Sequence, residues 1–359
     1  MSAKKKRKWY TSPLILTVIS LIGGALLSFI PTYYFKIREQ RIEYSKIENS
    51  IINAENSLSQ GLADEALIKY EEIITKVSKE LKPEFYARIK RGEGLAHFTL
   101  AYSSEQEKNL KKAISLFFEA LEVYSLQKYP EDYAQTQGYL ANAYLYMSEI
   151  RDREKNLLFS IQANKEALKV YFKDRYPVQY GKIKLNLGIN YECLSEINFK
   201  EEYLKEAINC YNEALEIFSL EEYPVENATI KLNLATTFMK LSEIEDRKEN
   251  LNKSFECFRE AAQIFTIESY PIDFALTQIS IGDYYMEISE VESSKEEYIE
   301  SALSAYKDAL KVFTEENYPE DYSYIQGKLA VGYLALSGIK DSKENSKKAE
   351  EAKIEASKY

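Results

Sequence analysis

The sequence predicts an all-α protein, a right-handed solenoid of stacked helix hairpins preceded by a single transmembrane helix. A Tyr-Pro pair recurs at steps of 47, 47, 47 and 48 residues, which is typical of arrays whose units bury their apolar faces against their neighbours. Apolar residues follow each pair at helical gaps of three and four. With only 12 Gly and 8 Pro in 359 residues, the composition disfavours a β-rich or disordered chain. The pairs are Tyr129-Pro130, Tyr176-Pro177, Tyr223-Pro224, Tyr270-Pro271 and Tyr318-Pro319.

The composition also limits the function. A net charge of −10 makes free nucleic acid an unfavourable partner. One histidine, His97, and three cysteines are too few for a cluster of histidine metal ligands or a disulfide framework. His97 falls where other repeats carry Tyr or Phe, so we expect it to pack between helices. The sequence therefore predicts a protein that is not an enzyme and uses no cofactor and no metal.

The N-terminal residues predict a membrane anchor. Residues 1–10 are basic, and no charge lies between Trp9 and Phe35. The 22 residues from Thr11 to Thr32 would reach about 33 Å as a helix, enough for a hydrocarbon layer of about 30 Å. We expect a transmembrane signal-anchor helix over 11–33, with a cleaved signal peptide as the alternative.

The flanking charges predict the orientation of this span. Five Lys or Arg residues precede it, and positive residues tend to stay in the cytoplasm. The expected localisation is a single-pass membrane protein with a cytoplasmic N-terminus and an extracytoplasmic repeat domain. Ser20, Gly24 and Ser28 lie four residues apart, a pattern that would let two spans dimerise, although small residues are common in spans generally.

The remainder of the chain predicts helix hairpins. A juxtamembrane helix is expected over 34–46, the array over 47–341, and a polar capping helix over 342–359. Each repeat shows two helical stripes, so we expect a first helix, helix A, and a second, helix B. The proline suits the first turn of helix A, where its missing N–H has no intrahelical partner. The repeats start near residues 47, 83, 130, 177, 224, 271 and 319.

Two patterns concern the junction of helices A and B. Asn109, Asn156 and Asn250 are expected to be N-caps of helix B. Small residues recur where the two helices must touch, which predicts a close crossing. They are Gly94, Ala141, Gly188, Ala235 and Gly282 on helix A, and Ala120, Ala167, Ala214, Ala261 and Ala309 on helix B.

The order of large and small residues resembles the tetratricopeptide repeat (TPR) family over residues 47–340. The unit of 47 residues exceeds the family's usual length of about 34, and Asn164 replaces the aromatic residue expected at its position. The resemblance implies a superhelix that binds protein segments. The residues that carry it in one repeat are Leu187, Gly188 and Tyr191 on helix A, and Ala207, Tyr211 and Ala214 on helix B.

The resemblance also implies that helices A line a peptide groove. The corresponding positions here are largely apolar, which favours an apolar or amphipathic partner segment. Closure of the superhelix on itself, or no groove ligand at all, are the alternatives. Only Arg91 and Asn142 resemble residues with which such arrays clamp a terminal carboxylate. The candidate groove residues are Arg91, Asn142, Leu185, Asn186, Ile189, Leu232, Asn233, Met239, Ile279 and Met286.

These observations together predict a membrane-anchored scaffold that holds a protein partner in the TPR groove. An assembly or export chaperone that binds clients transiently is one alternative, and a self-assembling structural module is another. An acidic residue also recurs near the end of helix A, and we expect it to form a negative edge that is either solvated or faces a basic partner. Its members are Glu149, Glu196, Glu243 and Glu290.

Overall fold

The computed structural model describes residues 38–198 and 201–358 of the protein. Within these ranges the chain is all-α and contains no strand. The chain divides into two compact units, one ending at Tyr124 and the other beginning at Ser125.

From residue 38 onward, the described part of the first unit forms two helix hairpins. Its helices are α1 (residues 38–59), α2 (Ala63–Ile74), α3 (Pro83–Leu100) and α4 (Gln106–Leu121). Helix α1 continues without a break through residue 47, where the sequence placed the boundary between a juxtamembrane helix and the array. Ile47 and Ile51 of α1 belong to one buried apolar cluster with Tyr70 of α2 and Ile89 of α3.

The second unit contains five further hairpins, in each of which a helix A packs against the following helix B. The predicted alternation of the two helices is therefore confirmed. The segment predicted to be a polar C-terminal capping helix, 342–359, contains the second helix of the last hairpin. The helices are α5 (Pro130–Ile150), α6 (Arg153–Leu168), α7 (Pro177–Asn198), α8 (Glu201–Leu215), α9 (Pro224–Ser242), α10 (Arg247–Ala262), α11 (Pro271–Ile288), α12 (Lys295–Ala309), α13 (Pro319–Ser337) and α14 (Ser342–Ala356).

The Tyr-Pro pairs mark the step from one hairpin to the next. Each proline is the first residue of its helix A. The preceding tyrosine packs against an aromatic ring five residues earlier, just after the previous helix B. Such aromatic pairs contribute about 0.5–1.5 kcal/mol beyond the area they bury. The ring centroids lie 5.2 Å apart for Tyr171 and Tyr176, 5.3 Å for Phe218 and Tyr223, 5.8 Å for Phe265 and Tyr270, and 5.2 Å for Phe313 and Tyr318.

The asparagines near the start of helix B are not N-caps, contrary to the prediction. Asn109, Asn156 and Asn250 lie three residues inside their helices. Each Nδ2 donates a hydrogen bond to the carbonyl oxygen five residues earlier, at 2.8, 2.7 and 2.8 Å respectively. These amides therefore close the turn between helices A and B. The residue before each helix has a left-handed backbone rather than N-cap geometry, with φ of 41° at Glu105, 47° at Asp152 and 43° at Asp246.

Helices A and B meet where a glycine faces an aromatic ring. A Cβ atom added to Gly188 would lie 2.4 Å from Cε1 of Tyr211, and one added to Gly282 would lie 2.4 Å from Cε1 of Tyr306. Both rings are buried. The predicted close crossing is thus a ring of helix B occupying the space that a side chain on helix A would need.

Asn164 on α6 breaks this pattern. It occupies the position that Tyr211 holds in the next repeat and is fully buried. Neither its Oδ1 nor its Nδ2 has a hydrogen-bond partner, although its helix contributes Leu157 and Ile161 to an apolar cluster. A buried amide without partners destabilises the folded state.

The membrane predictions are corrected. Among residues 38–198 and 201–358, no helix combines the length and the apolar character needed to cross a bilayer. This finding contradicts the predicted single-pass localisation with an extracytoplasmic array, and we withdraw that localisation. The predicted span over 11–33, together with Ser20, Gly24 and Ser28, lies outside the described residues.

Replacing Gly188 by Ala is expected to lower the free energy of unfolding by about 1–3 kcal/mol, because the added methyl group meets the buried ring of Tyr211. Gly138→Ala is the matched control. Nothing lies within 4 Å of its added Cβ, so the better helix former should raise the same free energy by about 0.5–1 kcal/mol. Urea unfolding of both variants measures this, and effects of the same sign would contradict the close crossing.

Replacing Asn164 by Leu is expected to raise the free energy of unfolding by about 1–2 kcal/mol, because it removes two unpartnered polar groups and keeps the branched shape of the side chain. Asn156→Leu on the same helix should have the opposite effect, since it removes the hydrogen bond to the carbonyl oxygen of Arg151. Thermal unfolding of the two variants distinguishes these outcomes. A lower melting temperature for Asn164→Leu would refute the explanation.

Candidate interaction surface on the first helices

The predicted groove residues all lie on helices A, but they are not equally accessible. Arg91 belongs to the first unit and the other nine to the second. Ile279 is only 8% exposed and belongs to a core cluster with Ile299 of α12 and Leu329 of α13. Ile279 is therefore a core residue, and the remaining nine are half-buried. We define the helix-A face as the accessible surface of α5, α7, α9, α11 and α13.

The array's own packing already uses much of the predicted apolar lining. Leu185, Ile189, Leu232 and Met239 pack against one core cluster, and Met286 packs against another. These side chains are already half-buried by the protein's own helices, so each exposes only part of its apolar area to a binding partner. Replacing Leu232 by Asp would place a charge against the core, so a loss of binding in that variant could come from disturbed packing.

The predicted polar groove residues are engaged as well. The Nδ2 of Asn186 donates to the Oδ1 of Asn142 at 2.9 Å, which links α7 to α5. In the first unit, the guanidinium of Arg91 lies 5.1 Å from the ring centroid of Tyr124, within the range of a cation–π contact. The two residues most like a carboxylate clamp therefore both make contacts within the protein.

Glu192 on α7 joins three helices. Its Oε2 accepts a hydrogen bond from the hydroxyl of Tyr211 on α8 at 2.9 Å. Its Oε1 accepts from Nζ of Lys240 at 2.9 Å and from Oγ1 of Thr236 at 3.1 Å, both on α9. Burial, followed by the charge of Glu192, raises the pKa of Tyr211 well above its ordinary value. The tyrosine thus stays protonated and acts as a hydrogen-bond donor.

Asp283 on α11 repeats this arrangement two hairpins later. Its Oδ1 accepts from the hydroxyl of Tyr306 on α12 at 2.6 Å, and both its oxygens lie 2.9 Å from Nζ of Lys328 on α13. Burial and then the neighbouring carboxylate raise the pKa of Tyr306. A tyrosine, a carboxylate and a lysine therefore tie each of these two hairpins to the next helix A.

The predicted acidic edge is partly neutralised. Glu196 pairs with Nη2 of Arg153 and with Nζ of Lys240, and Glu290 lies 3.7 Å from Nζ of Lys295. Burial alone would raise the pKa of Glu196, but the hydrogen bonds and charges of Lys240 and Arg153 outweigh it, so the pKa is lowered. The ion pairs at Glu196 and Glu290 therefore interrupt the predicted negative edge.

A cleft of about 560 Å³ opens between α11 and α13. Its polar floor is the bonded set of Asp283, Tyr306 and Lys328, while its apolar walls include two methionine side chains. Tyr324 and Val331 are 55% and 61% exposed, so the cleft is open to solvent. The lining residues are Met239, Asp283, Met286, Glu287, Tyr306, Tyr324, Gly327, Lys328 and Val331.

Met239 and Met286 are the two lining residues that the sequence predicted, whereas the other seven, including all those on α13, were not predicted. The signal was nonetheless present in the repeat. Gly327 lies eight residues after its helix's proline, as Leu185 and Leu232 do in theirs. Continuing the register of the middle repeats into the last one would have placed Gly327 on the helix-A face.

The three cysteine side chains are not among the residues that line the cleft. Cys193, Cys210 and Cys257 are free thiols, and burial raises the pKa of Cys210 and of Cys257 to about 11. Thiols of this kind are poor nucleophiles at neutral pH. In the part of the chain that the structure describes, no group of three or more His, Cys, Asp or Glu residues is placed to hold a metal ion.

The stability of the second unit is expected to fall as the pH drops below about 4.5, the ordinary pKa of Glu. Glu196 has a lowered pKa in the folded state, so its contribution is fully present above 4.5 and is lost as the pH falls through the lower folded value. The urea midpoint of Glu196→Gln should therefore be lower than that of the wild type at pH 7 and less sensitive to acid.

The matched control is Glu243→Gln. Glu243 occupies the same position in the next repeat and has no basic partner among the described residues. Urea midpoints measured between pH 7 and pH 3 test whether Glu196→Gln loses acid sensitivity while Glu243→Gln keeps that of the wild type. Equal acid sensitivity for Glu196→Gln and the wild type would contradict the assigned role of Glu196.

Comparisons with known proteins show a similarity of fold only. No protein-family model and no curated protein matches the chain. Among solved structures, the C-terminal part of a TPR repeat-containing protein from Cytophaga hutchinsonii is 11% identical with a TM-score of 0.50, covering 85% of this chain and 93% of that chain. The apo form of RapI is 15% identical with a TM-score of 0.52, covering 86% and 75%. The chain is therefore similar in fold to TPR proteins, as an all-α solenoid of helix hairpins.

Proposed function

We propose that this protein is a protein-interaction scaffold that holds a segment of a partner on the helix-A face of its second unit. The observation that carries the proposal is the open cleft between α11 and α13. Elsewhere on this face, the predicted groove residues are taken up by core packing or by hydrogen bonds between helices A. The cleft offers a partner both room and apolar surface.

The exposure of apolar side chains on α13 supports this proposal. Val331 and Leu334 are 61% and 54% exposed, and Tyr324 is 55% exposed. Solvent-exposed apolar residues that adjoin a cleft are typical of protein interaction sites. Covering one large apolar side chain removes enough area to contribute about 1.5–3 kcal/mol to binding.

A transient chaperone remains a second candidate function. Met239 and Met286 both line the cleft, and their flexible, polarisable side chains can adapt to partners of different shapes. The scaffold predicts a long-lived complex with one partner, whereas the chaperone predicts several clients that dissociate quickly. The dissociation rate of a captured partner separates the two functions.

A photo-crosslinking amino acid at Tyr324 is expected to capture the partner in the intact protein, because this side chain lies in the open wall of the cleft. The matched control places the same group at Leu158 on α6, which is also exposed but lies outside the cleft. A product formed equally from both positions would not be specific to the cleft.

The captured protein is then purified and its affinity is measured by calorimetry. Val331→Asp should weaken binding at least tenfold, since it introduces a charge into an apolar contact, whereas Leu158→Asp should have no effect. Both side chains are exposed, so neither change should unfold the chain. If Val331→Asp binds as tightly as the wild type, the proposed function is wrong.

A further inference from the structure

The helix-A face carries two glycines that the fold itself does not require. At Gly188 and Gly282 an aromatic ring of helix B lies where a Cβ would be. At Gly138 on α5 and Gly327 on α13 nothing lies within 4 Å of the added Cβ. Glycine inside a helix lowers its stability relative to alanine, so at these two positions the cost has no packing reason within the described chain.

Gly327 differs from Gly138 because it lines the cleft. The missing side chain lets a ligand approach the backbone of α13 more closely than any other residue would allow. Leu185 and Leu232 fill the same helix position in the middle repeats, where their side chains pack against core residues. Gly138 has the same open space but is not among the residues that line the cleft, so it is Gly327 whose open space adjoins a possible ligand.

The polar groups of the cleft favour a helix as the occupant. The cleft walls are helices, whose backbone N–H and C=O groups bond within the helix. The carboxylate of Asp283 is bonded to Tyr306 and Lys328, and Glu287 is paired with Arg247. The walls therefore offer an extended segment no row of free backbone donors and acceptors to pair with, whereas a helix satisfies its backbone groups internally.

The ion pair of Asp283 and Lys328 also determines which side chains of the partner suit the cleft. With Asp283 and Lys328 neutralising each other, no free charge is left to attract a charged side chain into the cleft. The walls offer Met239, Met286 and Val331 instead. A volume of about 560 Å³ exceeds that of one side chain, so it admits a row of apolar residues from successive helical turns.

We infer that the partner segment is an amphipathic α-helix that lies against Gly327 and inserts large uncharged apolar side chains between α11 and α13. This inference rests on the proposed function and adds the conformation and chemistry of the segment. Gly327 is then the residue that sets how closely the helix can approach.

The test uses a phage library of helical peptides of about 18 residues, long enough to hold a helix in water. Positions i, i+3, i+4 and i+7 are randomised on an Ala, Glu and Lys framework, and the library is selected against the full-length protein. We expect enrichment of Leu, Phe, Met or Trp at two or more of these positions. Enrichment of charged residues there would overturn the inference.

The selected peptide is then measured against two glycine variants. Gly327→Leu should weaken its binding at least tenfold, while the melting temperature stays equal to or above that of the wild type. Gly138→Leu, at the same position of α5, should leave binding within twofold. Equal binding to wild type and Gly327→Leu would overturn the inference without involving a loss of folding.

Further outcomes separate this inference from the proposed function. A proline in the middle of the peptide should abolish binding, and binding that survives it would show an extended occupant. A peptide that loses affinity with Val331→Asp but not with Gly327→Leu would refute the role of Gly327 and leave the proposed function standing. Recovery of no peptide, together with self-association in sedimentation, would overturn both and identify a second copy as the occupant.

Discussion

The contact between a glycine of helix A and an aromatic ring of helix B closes two of the hairpins of the second unit. At Gly188 and Gly282 the ring can approach only because no Cβ is present. The ring of Tyr211 then carries its hydroxyl to Glu192, which holds Lys240 of the next helix A. Burying such a ring contributes about 1.5–3 kcal/mol. One side chain therefore closes its own hairpin and, through a carboxylate, fixes the following one.

Much of this architecture could be predicted from the sequence because its causes are local or periodic. The prolines fix helix starts through their missing N–H, and the column of small residues follows from the crossing of helices. The role of Asn156 could not be predicted in the same way. Asn is favoured both as an N-cap and in turns, and the choice depends on the left-handed backbone at Asp152, which the composition of the turn does not reveal.

The candidate surface was less predictable, because the exposure of a helix face depends on the neighbouring helices. Ile279 has the same sequence register as Leu232, yet it is buried by residues of α12 and α13. Met239 and Met286 were predicted because the resemblance to the TPR family implies that their positions on helix A face a groove, and both line the cleft. Gly327 carries no apolar side chain, so a pattern of apolar positions could not predict it, although it lines the cleft.

The location of the cleft follows from where the polar bridge between helices A falls. Between α7 and α9 the bridge uses Glu192, 15 residues after its proline, and Lys240, 16 residues after its own. Between α11 and α13 it uses Asp283 and Lys328, only 12 and 9 residues after theirs. The polar bridge between α11 and α13 thus lies closer to the starts of the helices. Met286 occupies the position that Glu192 holds on α7, and as an apolar residue it does not take part in such a bridge. The pair that joins these two helices therefore also removes free charge from the cleft beside it, and apolar shape is what remains for a partner to recognise.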